Sequence, residues 1–123
     1  MDYRTPLRDM RFLINDVLDF EDHYEAIESD ASGELVDTVL EQCARFAENE
    51  LFPLRASGYK TGCSWNEGVV STPAGFAEAY ATYVQGGWPS IAGNPAFGGQ
   101  GLPRSISLWV EEIMASANMA WTM

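Results

Sequence analysis

The sequence has few basic residues. Seven Lys and Arg stand against eighteen Asp and Glu, so the formal net charge of the 123 residues is −11. A surface of that sign repels nucleic acid and anionic lipid, both of which bind proteins through basic side chains. We therefore expect no nucleic-acid partner.

Long apolar runs are also absent. No run approaches the roughly 20 apolar residues of a membrane span, and residues 1–6 have no signal-peptide-like apolar stretch. The two cysteines, Cys43 and Cys63, are too few for a disulfide framework. These features predict a soluble cytoplasmic protein from a reducing compartment, without a membrane span.

The single histidine, His23, excludes most familiar metal and hydrolase sites. A di-iron bundle needs two Glu-x-x-His pairs, and a zinc site built from Cys43, Cys63 and His23 would lack the usual short spacings. No Gly-x-Ser-x-Gly elbow accompanies the histidine. Residues 16–30, which surround it, are strongly acidic but lack the order of a calcium loop, so they indicate a solvated helix end. We expect no metal site.

Apolar residues instead recur at helical spacing in four segments. Thr5 and Pro6 predict the start of the first helix, as N-cap and first helical residue. Its apolar stripe comprises Leu7, Met10, Leu13, Ile14, Val17 and Leu18. The second helix follows residues 29–33 and should kink or stop at Pro53, with Gly58 ending any continuation.

The second half of the chain has the same helical character. Residues 58–71 indicate a loop, with a short hairpin conceivable around residues 66–68. A third helix is predicted from Thr72-Pro73 to Gly86-Gly87. After a Gly- and Pro-rich connection over residues 88–103, a fourth helix should run from Pro103 to the last residue. The fold class is therefore all-α, with about four main helices.

The glycines before the fourth helix, Gly98, Gly99 and Gly101, allow two interpretations. They could let a phosphate approach the N-terminus of that helix. However, Pro103 removes one amide, and neither a preceding strand nor a Gly-Lys-Ser/Thr ending is present. The pattern favours a backbone turn over an anion site.

Residues 86–89, 95–103 and 110–121 resemble the N-terminal domain of acyl-CoA dehydrogenases. They read Gly-Gly-Trp-Pro, then Pro-Ala-Phe-Gly-Gly-Gln-Gly-Leu-Pro, then Val-Glu-Glu-Ile-Met-Ala-Ser-Ala-Asn-Met-Ala-Trp. In that family a glycine loop of this kind joins two helices, and a helix with a Glu pair follows. Residues 3–12 resemble the extra N-terminal segment of the family's long bacterial branch.

The resemblance implies a parent flavoenzyme that oxidises acyl-CoA to trans-2-enoyl-CoA and passes electrons to an electron-transfer flavoprotein. In the family a carboxylate of the C-terminal domain removes the α proton while the β hydride passes to the flavin of FAD. By the resemblance, the middle β domain and the C-terminal helical domain of such an enzyme would lie beyond Met123. We therefore expect this chain to be an N-terminal portion, without catalytic residues or bound cofactor of its own, that packs against the remaining domains of a homo-oligomeric enzyme.

The resemblance also implies a domain division and a set of site residues. Residues 1–28 would form an N-terminal extension helix and residues 29–123 the helical domain. The substrate-pocket candidates are Asn118, Met119, Thr122 and Met123, for which simple packing against the other domains is an equal alternative. The structural loop would comprise Gly98, Gly99, Gly101 and Pro103.

A second hypothesis needs no enzyme. Residues 117–123 are too apolar for a free tail, and large exposed apolar patches mark interaction surfaces. The chain could therefore be a self-standing acidic helical module that binds another protein.

Overall fold

The computed structural model describes residues 2–123 and is mostly helical, as predicted. Seven α-helices follow one another: α1 (Leu7–Phe12), α2 (Phe20–Ala26), α3 (Gly33–Phe46), α4 (Arg55–Thr61), α5 (Phe76–Gln85), α6 (Arg104–Ala117) and α7 (Met119–Thr122). Two π-helical segments, Leu13–Val17 and Ala47–Leu51, extend α1 and α3. Short 3-10 turns occupy Phe52–Leu54, Trp88–Ser90 and Pro95–Phe97. Among the described residues, no helix combines the length and apolar character needed to cross a membrane.

The predicted loop over residues 58–71 is largely wrong, but the hairpin within it is confirmed. Its first residues belong to α4, and two antiparallel strands follow, β1 (Ser64–Asn66) and β2 (Val69–Ser71). The turn residues Glu67 and Gly68 have φ angles of 48° and 85°. A type I′ turn requires positive φ at both central residues, which explains the glycine.

The first helix begins later than Thr5 and Pro6 predict. The helix starts at Leu7, and the Thr5 side chain makes no capping hydrogen bond. Instead the backbone N–H of Thr5 donates to Glu48 Oε1 at 2.8 Å, and Arg4 forms an ion pair with Glu48 at 2.9 Å. These contacts tie Arg4 and Thr5 to the π-helical segment that follows α3, so tertiary contacts replace the predicted cap.

Pro53 interrupts the regular α-helix without ending the helical stretch Gly33–Thr61, which we call the second rod. The backbone changes from α to π at Ala47–Leu51 and to 3-10 at Phe52–Leu54 before α4 resumes. Proline has no N–H to donate and crowds the preceding turn, so the regular hydrogen-bond ladder is interrupted around it. As a result the N–H of Arg55 donates to the carbonyl of Phe52, and the carbonyl of Leu51 becomes available to another donor.

Gly58 does not end the rod, contrary to the sequence prediction. It lies buried within α4, which continues to Thr61 and ends at Gly62. A Cβ on Gly58 would approach Phe76 Cζ to 2.6 Å. The glycine is therefore explained by the close approach of the Phe76 ring and not by a helix end.

The third and fourth predicted helices also have different bounds. Helix α5 begins at Phe76, after a left-handed residue at Gly75 with φ 86°, so Pro73 is not its first residue. The predicted fourth helix is interrupted at Asn118, where α6 ends and α7 begins. The predicted Gly- and Pro-rich connection over residues 88–103 is confirmed as a segment without α-helix.

The core lies where α3 packs against α6. Buried side chains of α1, α2 and α5 also belong to it. Its most deeply buried side chains belong to α3, to the π segment after it and to α6. The largest fully buried apolar side chains are Leu40, Leu51, Ile106, Ile113, Val36 and Cys43. The cluster also includes Met10, Ile14 and Tyr24 from the first 28 residues. The domain boundary at residues 28 and 29 stays a prediction.

Candidate functional site

The helical break at Asn118 is made by a buried amide. Asn118 is 1% exposed, and its backbone angles of −155° and 86° leave the helical region. Its Nδ2 donates to the carbonyl of Leu51 at 3.0 Å, and its Oδ1 accepts from the N–H of Trp121 at 3.1 Å. The side chain thus caps α7 and satisfies the carbonyl of Leu51, which precedes the 3-10 turn around Pro53.

The break turns Trp121 toward α5. Its indole Nε1 donates to the carbonyl of Phe76 at 3.1 Å. The ring lies edge-on to Tyr83, with 5.5 Å between ring centroids, and to Phe46 at 6.1 Å. Trp88 stacks on Phe46 at 6.4 Å, so four elements contribute to one aromatic cluster.

A groove of about 1070 Å³ opens beside this cluster, between α5 and α6. Its lining includes Tyr80, Tyr83, Trp88, Arg104, Glu111 and Thr122. The groove is an open surface feature with both aromatic and charged walls. Such a surface suits contact with another polypeptide or the wall of a larger pocket more than enclosure of a small ligand.

The charged groups of the groove both belong to α6. Arg104 and Glu111 lie two turns apart on that helix, and Tyr83 faces them from α5. Burial raises the pKa of Tyr83, and the negative charge of Glu111 raises it further. The Tyr83 hydroxyl therefore remains protonated and able to donate a hydrogen bond at physiological pH.

The four substrate-pocket candidates do not share one environment. Asn118 is buried and hydrogen-bonded, and the Thr122 hydroxyl lines the groove and donates to the carbonyl of Asn118 at 2.9 Å. Met119 and Met123 lie outside the groove lining, with 59% and 94% of their surface exposed. The structure thus brings Thr122 to the groove and leaves the two methionines in solvent.

The glycine loop is closed by its own backbone. The N–H groups of residues 98–102 each donate to a carbonyl between Ser90 and Pro95, at distances of 2.9 to 3.1 Å. Gly98 and Gly101 have φ angles of 85° and 70°, and a Cβ on Gly99 would lie 2.0 Å from the carbonyl carbon of Gly93. Since Pro103 has no N–H, no amide from residue 98 to residue 103 remains free to bind a phosphate.

Sequence reasoning missed the α5 side of the groove. Tyr80 and Tyr83 fall in the helical stripe of the third predicted helix, yet Tyr80 is 59% exposed. The buried positions of α5 are Phe76 and Ala79. The available signal was the phenolic hydroxyl, because a tyrosine placed fully inside a core needs a hydrogen-bond partner there.

Two further sets of residues bear on chemistry. Within residues 2–123, no three His, Cys, Asp or Glu side chains gather as metal ligands would. Cys43 is buried with its thiol donating to the carbonyl of Val110 at 3.6 Å, whereas Cys63 is exposed. Burial raises the pKa of Cys43 to about 12, so its reactive thiolate form is scarce.

Comparison with known proteins gives an informative similarity. No family model matches the chain. The chain is 32% identical over 123 residues to a protein named 3-methylmercaptopropionyl-CoA dehydrogenase from Ruegeria pomeroyi. That alignment covers 98% of this chain but 21% of the relative, so the chain spans about a fifth of the relative's length. By its name the relative is an acyl-CoA dehydrogenase, and this chain is similar to part of it along almost its whole length.

Proposed function

We propose that this chain is the N-terminal portion of a flavin-dependent acyl-CoA dehydrogenase that oxidises acyl-CoA to trans-2-enoyl-CoA. One observation carries the proposal, namely the 32% identity that extends over 98% of the chain to a dehydrogenase of that name. The glycine loop and the N-terminal segment resemble the same family independently. A helical portion with an open groove and exposed methionines fits a part that packs against further domains.

The contribution of this portion would be shape and water exclusion. Met119 and Met123 present flexible apolar side chains that could form one wall of an acyl-chain pocket, with Thr122 beside them. Asn118 would position that wall, because its two hydrogen bonds fix where α7 begins. Removing water from such a pocket strengthens the electrostatic interactions at the reacting carbons.

FAD would accept the hydride in the complete enzyme. The amides of residues 98–102 are all occupied by backbone carbonyls, so this loop offers no cradle for the phosphates of the cofactor. We therefore assign the flavin site and the catalytic carboxylate to other parts of the parent protein. Homo-oligomerisation, and electron transfer to an electron-transfer flavoprotein, belong to the same proposal.

The first test uses the full-length parent protein. After reconstitution with FAD it should show the yellow flavin absorbance, and an acyl-CoA substrate should bleach that absorbance under anaerobic conditions. A folded parent protein that binds no flavin would refute the proposed activity.

A second test addresses the pocket wall. Met119→Ala should shift the preference among acyl-CoA chain lengths, measured as kcat/KM, by about threefold or more. The matched control is Leu108→Ala, since Leu108 is 57% exposed on α6 and is not a pocket candidate. Equal chain-length profiles for both variants would remove Met119 from the pocket.

A second function is favoured by the exposed end of the chain. If the parent is not a dehydrogenase, Met119, Met123 and the open groove would mark a self-standing acidic module that binds another protein. Sedimentation and apolar-dye binding test both versions. A dye-negative monomer at micromolar concentration would contradict each of them, because both require an apolar surface that needs covering.

A further inference from the structure

The first helical rod consists of α1 and the π-helical segment Leu13–Val17 that continues it. It buries only part of its apolar stripe. Met10 and Ile14 are each 3% exposed and pack into the core. Leu13, Val17 and Leu18 belong to the same sequence pattern, yet they are 39%, 54% and 51% exposed. The rod therefore carries the wide apolar pattern of a helix covered on two sides, although the fold covers it on one.

The exposed apolar residues lie together on the outer side of the rod. Leu13 and Val17 are four residues apart along the π-helical segment, so their side chains are neighbours on one side. Phe12 is 57% exposed next to them, and Asp16 follows it by four residues. The left-handed residue Asp19, with φ 48°, then turns the chain into α2.

Helix α2 continues this surface with carboxylates. Its inner side holds the buried Tyr24 and the half-buried Phe20. Its outer side and its ends carry the exposed acidic residues Asp19, Glu21, Asp22, Glu25 and Glu28, with Ile27 49% exposed among them. We call the exposed side chains of residues 12–28 the acidic–apolar face.

No Lys or Arg side chain within residues 12–28 neutralises the negative charge of this face. No Lys or Arg occurs from residue 12 to residue 44, and the only basic side chain on the face is His23. The preceding cation, Arg11, is engaged by Asp37 and by Glu41 on α3. The field of the face therefore attracts cationic groups and repels anionic membranes.

We propose that the acidic–apolar face is a docking site for a cationic amphipathic segment of another protein. Leucine-like anchors of that segment would cover Leu13 and Val17, and flanking Lys or Arg side chains would meet the carboxylates of α2. The proposal depends on the charge and burial of residues 12–28 and is independent of the dehydrogenase assignment.

The test uses isotopically labelled 123-residue chain and a defined probe. The probe is a synthetic helical peptide of Lys and Leu with leucines at i, i+3, i+4 and i+7. Comparators are a scrambled peptide of the same composition and a Glu/Leu peptide of the same pattern. We expect saturable binding of the probe alone, with amide chemical-shift changes centred on residues 12–28.

Matched variants separate the apolar and the electrostatic contributions. L13S/V17S should raise the dissociation constant by about tenfold, because it removes apolar contact area. V69S/V70S on the exposed hairpin should change the dissociation constant by less than about twofold. D22N/E25Q should weaken binding and flatten its salt dependence, whereas E67Q/E78Q removes the same charge elsewhere and should do neither. Circular dichroism confirms that each variant is folded.

Three outcomes would overturn the proposal. Equal binding of the scrambled peptide would show a general attraction to an acidic protein. Equal losses in the matched controls would place the site elsewhere. Self-association of the chain that L13S/V17S abolishes would assign the face to a second copy instead.

Discussion

At the scale of single residues, burial separates two thiols of identical chemistry. Burial raises the pKa of Cys43 to about 12, while Cys63 lies exposed just before the hairpin. We predict that iodoacetamide at mildly alkaline pH modifies Cys63 alone in the native chain and both cysteines after unfolding. Mass spectrometry of the alkylated protein measures this. Modification of Cys43 at a comparable native rate would contradict its burial.

Asn118 is the residue on which the end of α6 depends. Asn118→Ala leaves the buried carbonyl of Leu51 without its donor and removes the cap of α7, so the free energy of unfolding should fall by about 2 kcal/mol. Urea denaturation measures the change. Asn15→Ala, at an exposed position in the π-helical segment, is the control and should change stability by less than about 0.5 kcal/mol. Similar losses in both variants would remove the special role of Asn118.

At the scale of elements, periodicity predicts the helices and misplaces their ends. The apolar spacing correctly predicts α1, α3, α5 and α6 but not α2, and Ile106, Val110, Ile113 and Met114 are all buried on α6 as the pattern requires. The predicted helix ends are wrong where a contact with a distant residue determines the end. Asn118 interrupts its helix by bonding Leu51, which is 67 positions away and invisible to a local pattern.

Proline and glycine mislead for the same reason. Thr-Pro has the signature of an N-cap, yet Pro73 precedes α5 by a full turn. Gly58 has the signature of a helix end, yet its hydrogen atom makes room for the ring of Phe76. Local sequence shows that a special residue is present, but only the tertiary contact shows whether its backbone or its missing side chain matters.

Gly58→Ala tests that distinction. Alanine favours helix over glycine by about 1 kcal/mol, but its Cβ would lie 2.6 Å from Phe76 Cζ. We expect a net destabilisation of about 1 to 2 kcal/mol, because overpacking a buried ring outweighs the gain in propensity. Gly33→Ala is the control, as nothing lies within 4 Å of its Cβ position at the start of α3. A stabilised Gly58→Ala variant would show that Phe76 moves without cost.

At the scale of the whole molecule, the candidate site is assembled from parts that the sequence keeps apart. The aromatic cluster beside the groove brings Tyr83 of α5, Trp88 of the connection and Trp121 of α7 around Phe46 of α3. Composition indicates that aromatic residues are available, and periodicity places some of them on helices. Neither predicts their meeting, because that depends on how α3, α5 and α7 pack.

The segment before α1 gives the whole molecule a measurable response to acid. Partial burial of Glu48 would raise its pKa, but the N–H of Thr5 and the guanidinium of Arg4 outweigh this effect and lower the pKa below its ordinary value. A carboxylate with a lowered folded-state pKa stabilises the fold above its unfolded pKa and loses that contribution as pH falls through the folded value. Glu48→Gln should therefore cost about 1 to 2 kcal/mol near neutral pH and progressively less in acid.

Thermal denaturation of the wild type and the variant across acidic to neutral pH measures this difference. Glu50→Gln removes an exposed carboxylate from the same π-helical segment and is the control for net charge. A stability difference for Glu48→Gln that stays constant with pH would show that the contacts of Arg4 and Thr5 with residue 48 do not depend on the ionised carboxylate.

The hydrogen bonds of the closed glycine loop should make its opening slow. Residues 86–103 have the composition of a flexible linker, but the N–H groups of residues 98–102 are all hydrogen-bonded within it. In hydrogen–deuterium exchange these amides should be protected almost as long as those of α6, and much longer than those of the exposed hairpin. Motion of α5 relative to α6 would then require opening of the whole loop. Although this segment has no regular secondary structure over most of its length, it would therefore limit how fast the two helices move relative to each other.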